Sequence, residues 1–355
     1  MAFELGIFHF GELAPDPTTH VPPRAGRRLR ELIEQATAAD EAGLDIFAVG
    51  EHHRTDFAVS TPAVVLSAMA ENTRHIKLSS AVSVLSSDDP VRVFQQFATL
   101  DLISGGRAEI IAGRGSYIES FPLFGYDLDD YADLYADKLD LLLALRKENP
   151  VTWQGSTRPA LVNADVTPQP ERELPIWVAV GGTPASVVRA AKLNLPLSLA
   201  IIGGSYRQFA QFVDLYRRAA TQFGNNPDNL KVSINSPGFI AGTHDEAVDV
   251  SHPYFQAGWM ANHHQRGQGV AMPRAAYEAQ SSVAGAFFLG SPQQVIDKML
   301  AQYELFHHDR TMIQLGFGNV PQKEMMKSIE LLGSEVAPVV RKEIASMRQS
   351  AESGK

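Results

Sequence analysis

The chain has no cysteine among its 355 residues, which excludes disulfides, thiolate nucleophiles, zinc knuckles and cysteine-ligated iron–sulfur clusters together. It contains no run of about 18 apolar residues of the kind that crosses a bilayer. Its first ten residues have no basic region ahead of their apolar run and soon meet Glu12, Pro15 and Asp16, so no secretory signal is legible. Positive charge is scarce: 31 Lys and Arg stand against 40 Asp and Glu, for a net charge of -9. That balance is the reverse of the basic footprint that binds nucleic acid or an anionic membrane. A dinucleotide fingerprint is missing too, because Gly113-Arg114-Gly115-Ser116-Tyr117-Ile118 lacks the third glycine, and there is no Walker loop. A cytoplasmic protein with neither nucleic acid nor membrane as partner is expected.

What is present is a large apolar fraction, 45% of residues against 20% charged, enough for a sizeable core. Short β-branched or aromatic runs alternate with longer segments of helical periodicity, the sign of parallel βα units. Eight strands are predicted, at Glu4 to Phe10, Ile46 to Glu51, Ile76 to Leu85, Ala108 to Ala112, Ile176 to Val180, Leu197 to Ile202, Val232 to Ala241 and Thr311 to Phe317. Between the first two, Leu29, Leu32, Ile33 and Ala36 recur at helical spacing and Gly43 stands just past the helix end, a normal stop. Similar helical segments follow through Pro62 to Glu71, Pro90 to Ile103, Tyr131 to Lys147, Pro184 to Leu193, Tyr206 to Phe223 and Pro292 to Phe306, several with proline in the first turn.

Asn149 to Leu174 reads as an excursion or β-hairpin before strand five, and His263 to Ala286 as a long loop before the last βα unit, suited to a lid. Together these features predict an α/β fold, a (β/α)8 TIM barrel, as one domain over 1–348 with a flexible tail over 349–355. In such a barrel chemistry sits at the C-terminal strand ends.

After strand two comes Val49-Gly50-Glu51-His52-His53-Arg54. In an extended chain His52 points opposite to Glu51 and His53, so one face meets a substrate. A histidine there suits proton transfer near neutral pH. A histidine pair that merely buttresses loops fits the same residues, and a metal pair lacks matched ligands at other strand ends. The small and β-branched Ser79 to Leu85 can take a flat ring against its backbone or simply pack the barrel. After strand four, Gly113-Arg114-Gly115-Ser116 sets a permanent cation between glycines, suited to a phosphate or to a structural role. Gly181-Gly182-Thr183 runs straight into a helix and offers free amides at its positive end. Gly203-Gly204-Ser205 repeats the arrangement after strand six. Each can be only a tight turn, but two glycine turns beside one arginine suit a mononucleotide phosphate.

Taken in order along nearly the whole chain, Glu51-His52-His53, Asp89-Pro90-Val91-Arg92, Leu100-Asp101-Leu102-Ile103-Ser104-Gly105-Gly106-Arg107, Gly113-Arg114-Gly115 and Phe124-Gly125-Tyr126-Asp127 resemble the bacterial luciferase family. The resemblance implies a barrel that binds FMN, usually as a dimer, with reduced flavin supplied by a separate NAD(P)H-dependent reductase and used with oxygen on a small organic substrate. His52 matches the family's catalytic histidine, and Arg114 matches an arginine at the flavin phosphate; Glu51 and His53 are expected as further catalytic residues beside His52, one or the other setting loop geometry. Ala81-Val82 falls where the family has a non-prolyl cis peptide behind the flavin ring. There are departures: Gly113 replaces a reactive cysteine and is expected to leave room beside the flavin. A second phosphate arginine falls at Ala132, and a phosphate-site serine and threonine fall at Gly182 and Ala185, which shifts phosphate binding toward backbone amides with Thr183 or Ser186. A deazaflavin-dependent dehydrogenase on the same fold, a metal-dependent hydrolase and a silent flavin-binding subunit are the alternatives.

Overall fold

The computed structural model describes residues 2–115, 117–264 and 271–353. Among them the strands are β1 Glu4–His9, β2 Ile46–Val49, β3 Lys77–Ser80, β4 Ser83–Val84, β5 Ala108–Gly113, β6 Val151–Trp153, β7 Leu161–Ala164, β8 Ile176–Val180, β9 Leu197–Ala200, β10 Val232–Ile240, β11 Phe288–Gly290 and β12 Arg310–Leu315. They pair in parallel in the order β1, β2, β3, β5, β8, β9, β10, β12, and β12 returns to β1, so eight staves close into a barrel. β4 carries the third stave onward and pairs with β5.

Strand periodicity divides the apolar residues between two layers. In β2, Ile46 and Ala48 point into the barrel with Phe8, Ile111, Trp177 and Met312. Phe47 and Val49 point outward into the larger core beneath the helices. At the N-terminal end of the staves a buried ionic group fills the interior. Arg310 Nη1 and Nη2 donate to the two Glu109 carboxylate oxygens at 2.7 and 2.9 Å, its Nε donates to Glu4 at 2.7 Å, and its guanidinium lies 4.3 Å from the Trp177 ring centre.

Helix boundaries follow local chemistry. The helix Pro90–Ser104 opens on Asp89, whose side chain accepts from the Val91 and Arg92 amides, and closes on left-handed Gly105. The helix Pro292–Phe306 opens on a Ser291–Gln294 capping box.

The structure departs from the sequence reading in several places. The third predicted strand is interrupted at Ala81–Val82, where the peptide is cis. β2 ends at Val49, so Glu51, His52 and His53 stand in a loop rather than on the strand. The excursion over 149–174 contains the antiparallel hairpin β6–β7. The long loop expected over 263–286 is partly helical: the helix His244–His264 runs into it and the helix Arg274–Ser281 occupies its second half. Residues 265–270 of that stretch lie outside the described residues. β11 then adds to β10 outside the barrel circuit, and the helix Ala337–Ser353 carries regular backbone through most of the expected tail. No helix among the described residues is long and apolar enough to cross a membrane.

Candidate active site

At the C-terminal ends of the staves lies a cavity of about 360 Å³, within the range of small-molecule sites. Glu51, His52, His53, Ala81, Val82, Gly113, Arg114, Gly115, Gly181 and Thr183 all line it. Gly182, Gly203 and Gly204 do not. The Gly204 amide donates to Gln280 Oε1 at 3.0 Å, and the adjacent Ser205 bridges to Gly285, so this turn is joined to the segment that follows the Arg274–Ser281 helix. Ser116 lies outside the described residues. Since the chain leaves strand geometry after Val49, the expected alternation fails: all three of Glu51, His52 and His53 reach the same cavity.

His52 is buried among rings, with centres 4.3 Å from Phe57, 4.7 Å from Tyr117 and 5.0 Å from Phe10. Its Nδ1 stands 3.3 Å from Glu119 Oε1. Burial pushes the imidazole below its usual range, and Glu119 opposes that shift without reversing it. Burial also acts to raise the Glu119 carboxyl, but its hydrogen bonds to His52 and to its own backbone, with the charges of His52 and Arg54, hold it below the usual carboxylate range. A neutral imidazole beside an ionised carboxylate places the shared proton on Nδ1, and the carboxylate accepts it. Nε2 is then left as a lone pair, the form that serves as base or acceptor.

Glu51 and His53 form the complementary pair, Nε2 to Oε1 at 3.3 Å. The Glu51 hydrogen bond holds His53 above the usual imidazole range, while burial pushes the Glu51 carboxyl up. One cavity thus holds two histidines of opposite tendency. His52 favours the neutral form and His53 the charged one.

Arg114 projects from the end of β5 with no carboxylate partner among the described residues. Its Nη2 donates to Thr183 Oγ1 at 3.4 Å, and its guanidinium lies 5.1 Å from the Tyr131 ring centre. Thr183 is the N-cap of the helix Pro184–Lys192 but makes no side-chain cap bond, so its hydroxyl faces Arg114 instead. The Ser186 amide is already used by the Thr183 carbonyl at 3.0 Å. Gly113 does not leave the expected room, because a Cβ added there would stand 2.5 Å from Val82 Cγ2. The Val82 side chain occupies that space.

Sequence reading missed Glu119, Tyr117, Gln314, Asn235 and Ser198 in the cavity wall. Glu119 carried one usable signal, a carboxylate in the loop after a barrel strand, where such loops build the site. No group of three or more His, Asp or Glu side chains among the described residues is placed to hold a metal ion.

A closed parallel barrel with an oriented histidine and an arginine that has no carboxylate partner among the described residues, both in one cavity at the C-terminal strand ends, defines a barrel enzyme site. The family model described as luciferase-like monooxygenase matches residues 3–309, and the chain belongs to that family. The chain is 23% identical over 331 residues to the oxygenase component of the flavin-dependent trigonelline monooxygenase of Acinetobacter baylyi, covering 87% of this chain and 89% of the relative. It is 28% identical over 162 residues to the F420-dependent glucose-6-phosphate dehydrogenase of Amycolatopsis mediterranei, covering 43% and 48%. The oxygenating constituent of 3,6-diketocamphane monooxygenase from Pseudomonas putida, solved in complex with FMN, superposes with a TM-score of 0.77 at 20% identity over 95% of this chain and 99% of that one.

Proposed function

We propose that the chain is a monooxygenase that takes reduced FMN from a separate NAD(P)H-dependent reductase and inserts one atom of O2 into a small organic substrate such as an aldehyde or ketone, the second oxygen leaving as water and the FMN leaving oxidised. The observation that carries this reading is the convergence, in one cavity, of a neutral His52 oriented by Glu119 with Arg114 free of any carboxylate among the described residues. A phosphate monoester needs a permanent cation and neutral donors, and Arg114 with Thr183 is that donor set. Ala81, Val82, Ile111 and Ala179 give the cavity an apolar wall, which suits the face of a planar ring system. When bound, reduced FMN would supply the electrons that activate O2.

The protein's own contribution is to bind, orient and handle protons. Arg114, Thr183 and the Gly181 turn hold the phosphate end. Phe10, Phe57 and Tyr117 exclude water around His52, which strengthens the Glu119 interaction. His52 Nε2 accepts a proton, or a hydrogen bond, from the reacting group, while Glu51 and His53 hold the loop that carries it. The trigonelline relative is named as an oxygenase component, which supports a reductase partner. We propose that the barrel works as one domain and as a homodimer in the cytoplasm.

Replacing His52 with alanine should abolish turnover and leave reduced-FMN binding intact; full turnover in that variant would overturn the assignment. The F420-dependent relative favours a second reading, hydride transfer from a deazaflavin, which comparison of the two reduced cofactors as ligands separates from the first.

A further inference from the structure

Gln314, on β12, faces the barrel interior and lines the cavity, yet it plays no part in the site built above. Its Nε2 donates to Glu12 Oε1 at 3.0 Å, a contact buried on both sides. Among the described residues Glu12 accepts from no other side chain, and its Oε2 has no protein partner. Glu12 itself is held by backbone: it bridges to Phe57, whose ring packs on His52, while the Leu13 amide donates to the Asp56 carbonyl and the Ala58 amide to the Gly11 carbonyl, both at 2.8 Å. Burial pushes the Glu12 carboxyl up and the equally buried Arg28 opposes that shift, as do its hydrogen bonds, while Asp56 adds to it. Arg28, on the helix Ala25–Glu41, cannot shed its charge; Glu31 pairs with its Nη1 at 3.7 Å and the Glu12 carboxylate is a further counter-charge, so the ionised form of Glu12 helps to make that burial tolerable.

An ionised carboxylate only accepts, so it fixes the sense of the Gln314 amide: Nε2 toward Glu12 and Oε1 as the free acceptor. Gln314 Oε1 takes no protein hydrogen bond among the described residues. We propose that Glu12 and Gln314 are a positioning pair that presents a hydrogen-bond acceptor to the cavity and so makes the site prefer reduced FMN, whose ring carries an additional N–H, over oxidised FMN, whose ring nitrogen there is an acceptor. An acceptor facing an acceptor leaves both unpaired, and a buried unpaired polar group is costly. This deepens the flavin reading of the cavity and rests on it.

The test is a pair of titrations on the full chain, oxidised FMN in air and dithionite-reduced FMN under anaerobic conditions, for the wild type, Gln314→Leu and Glu12→Gln. The wild type should bind the reduced form more tightly. Gln314→Leu should cut that preference by about tenfold, mainly by weakening the reduced form. In Glu12→Gln the amide can donate or accept, so the preference should also fall, with oxidised FMN gaining. A merely structural role would weaken both forms alike, and that result, or an unchanged preference in Gln314→Leu, overturns the proposal. If Glu12→Gln does not fold, Gln314→Leu decides alone. Failure of the wild type to bind either form overturns the flavin reading as well, which separates the two outcomes.

Discussion

His52 Nδ1 stands 3.3 Å from Glu119 Oε1, across 67 residues of chain. The carboxylate comes from the loop after β5 and the imidazole from the loop after β2, so the dyad exists only once neighbouring staves are closed side by side through β3. Its chemistry is that of a neutral base whose tautomer is set by an anion.

Removing the Glu119 charge should therefore have a directional effect. Glu119 raises the His52 pKa against the burial that lowers it, so Glu119→Gln should lower it further. The acid limb of the kcat/KM profile, where His52 becomes protonated and inactive, should move to lower pH. The plateau should fall by about 10²-fold as the tautomer loses its anchor. A pH–rate series on the two proteins checks both effects, and a limb that moves to higher pH counts against the dyad.

Arg114 should govern the phosphate and little else. Its replacement by alanine removes a charge-assisted bond worth about 1.5–3 kcal/mol, so FMN affinity should drop roughly 10- to 150-fold while riboflavin affinity hardly changes. Fluorescence quenching with both ligands measures this. Equal losses for FMN and riboflavin would place the phosphate elsewhere.

Acid should destabilise the fold in a predictable window. His9 and His308 are fully buried, and burial holds both below the usual imidazole range, His308 at about 3. A depressed folded pKa contributes stability that is complete above the unfolded value of 6.5 and is lost as pH falls through that value toward the folded one. Each histidine should then cost roughly 1.4 kcal/mol per pH unit below about 6.5. Urea denaturation at several pH values should show that slope, and His308→Gln should flatten it.

The ionic group at the other end of the barrel should matter for stability alone. Arg310→Met leaves the buried Glu109 without its cation and the half-buried Glu4 with Lys77 alone, which should cost about 3–5 kcal/mol. Denaturation curves read the loss. Reduced-FMN affinity of the folded variant should be unchanged, because the cluster lies at the opposite end of the staves from Arg114 and His52.

The eight staves were legible because a stave buried on both faces reads as a short apolar run set between helical periods. Glu51, His52, His53, Arg114 and Thr183 were legible because they sit beside those runs. What was not legible depended on backbone leaving its regular path. The stop at Val49 decided that His52 and Glu51 share a cavity, against the strand alternation that separates them. The interruption at Ala81–Val82 brought Val82 against Gly113. Gln314 reads in sequence as one polar residue in an apolar strand, and only its contact with Glu12, 302 positions away, gives it a direction. The Arg274–Ser281 helix was missed because glycines and Pro273 ahead of it hid an eight-residue period behind loop composition.

The most direct test of the account is an anaerobic titration of the purified protein with reduced FMN and, separately, with a reduced deazaflavin, followed by mixing the FMN complex with aerated buffer and a panel of small aldehydes and ketones. The account predicts saturable binding of reduced FMN, weaker binding of the deazaflavin, and oxygen-dependent substrate oxidation that fails in His52→Ala. Binding of the deazaflavin alone, or reduced-FMN binding that survives with no oxygen-dependent product from any member of the panel and with hydride transfer instead, would contradict it.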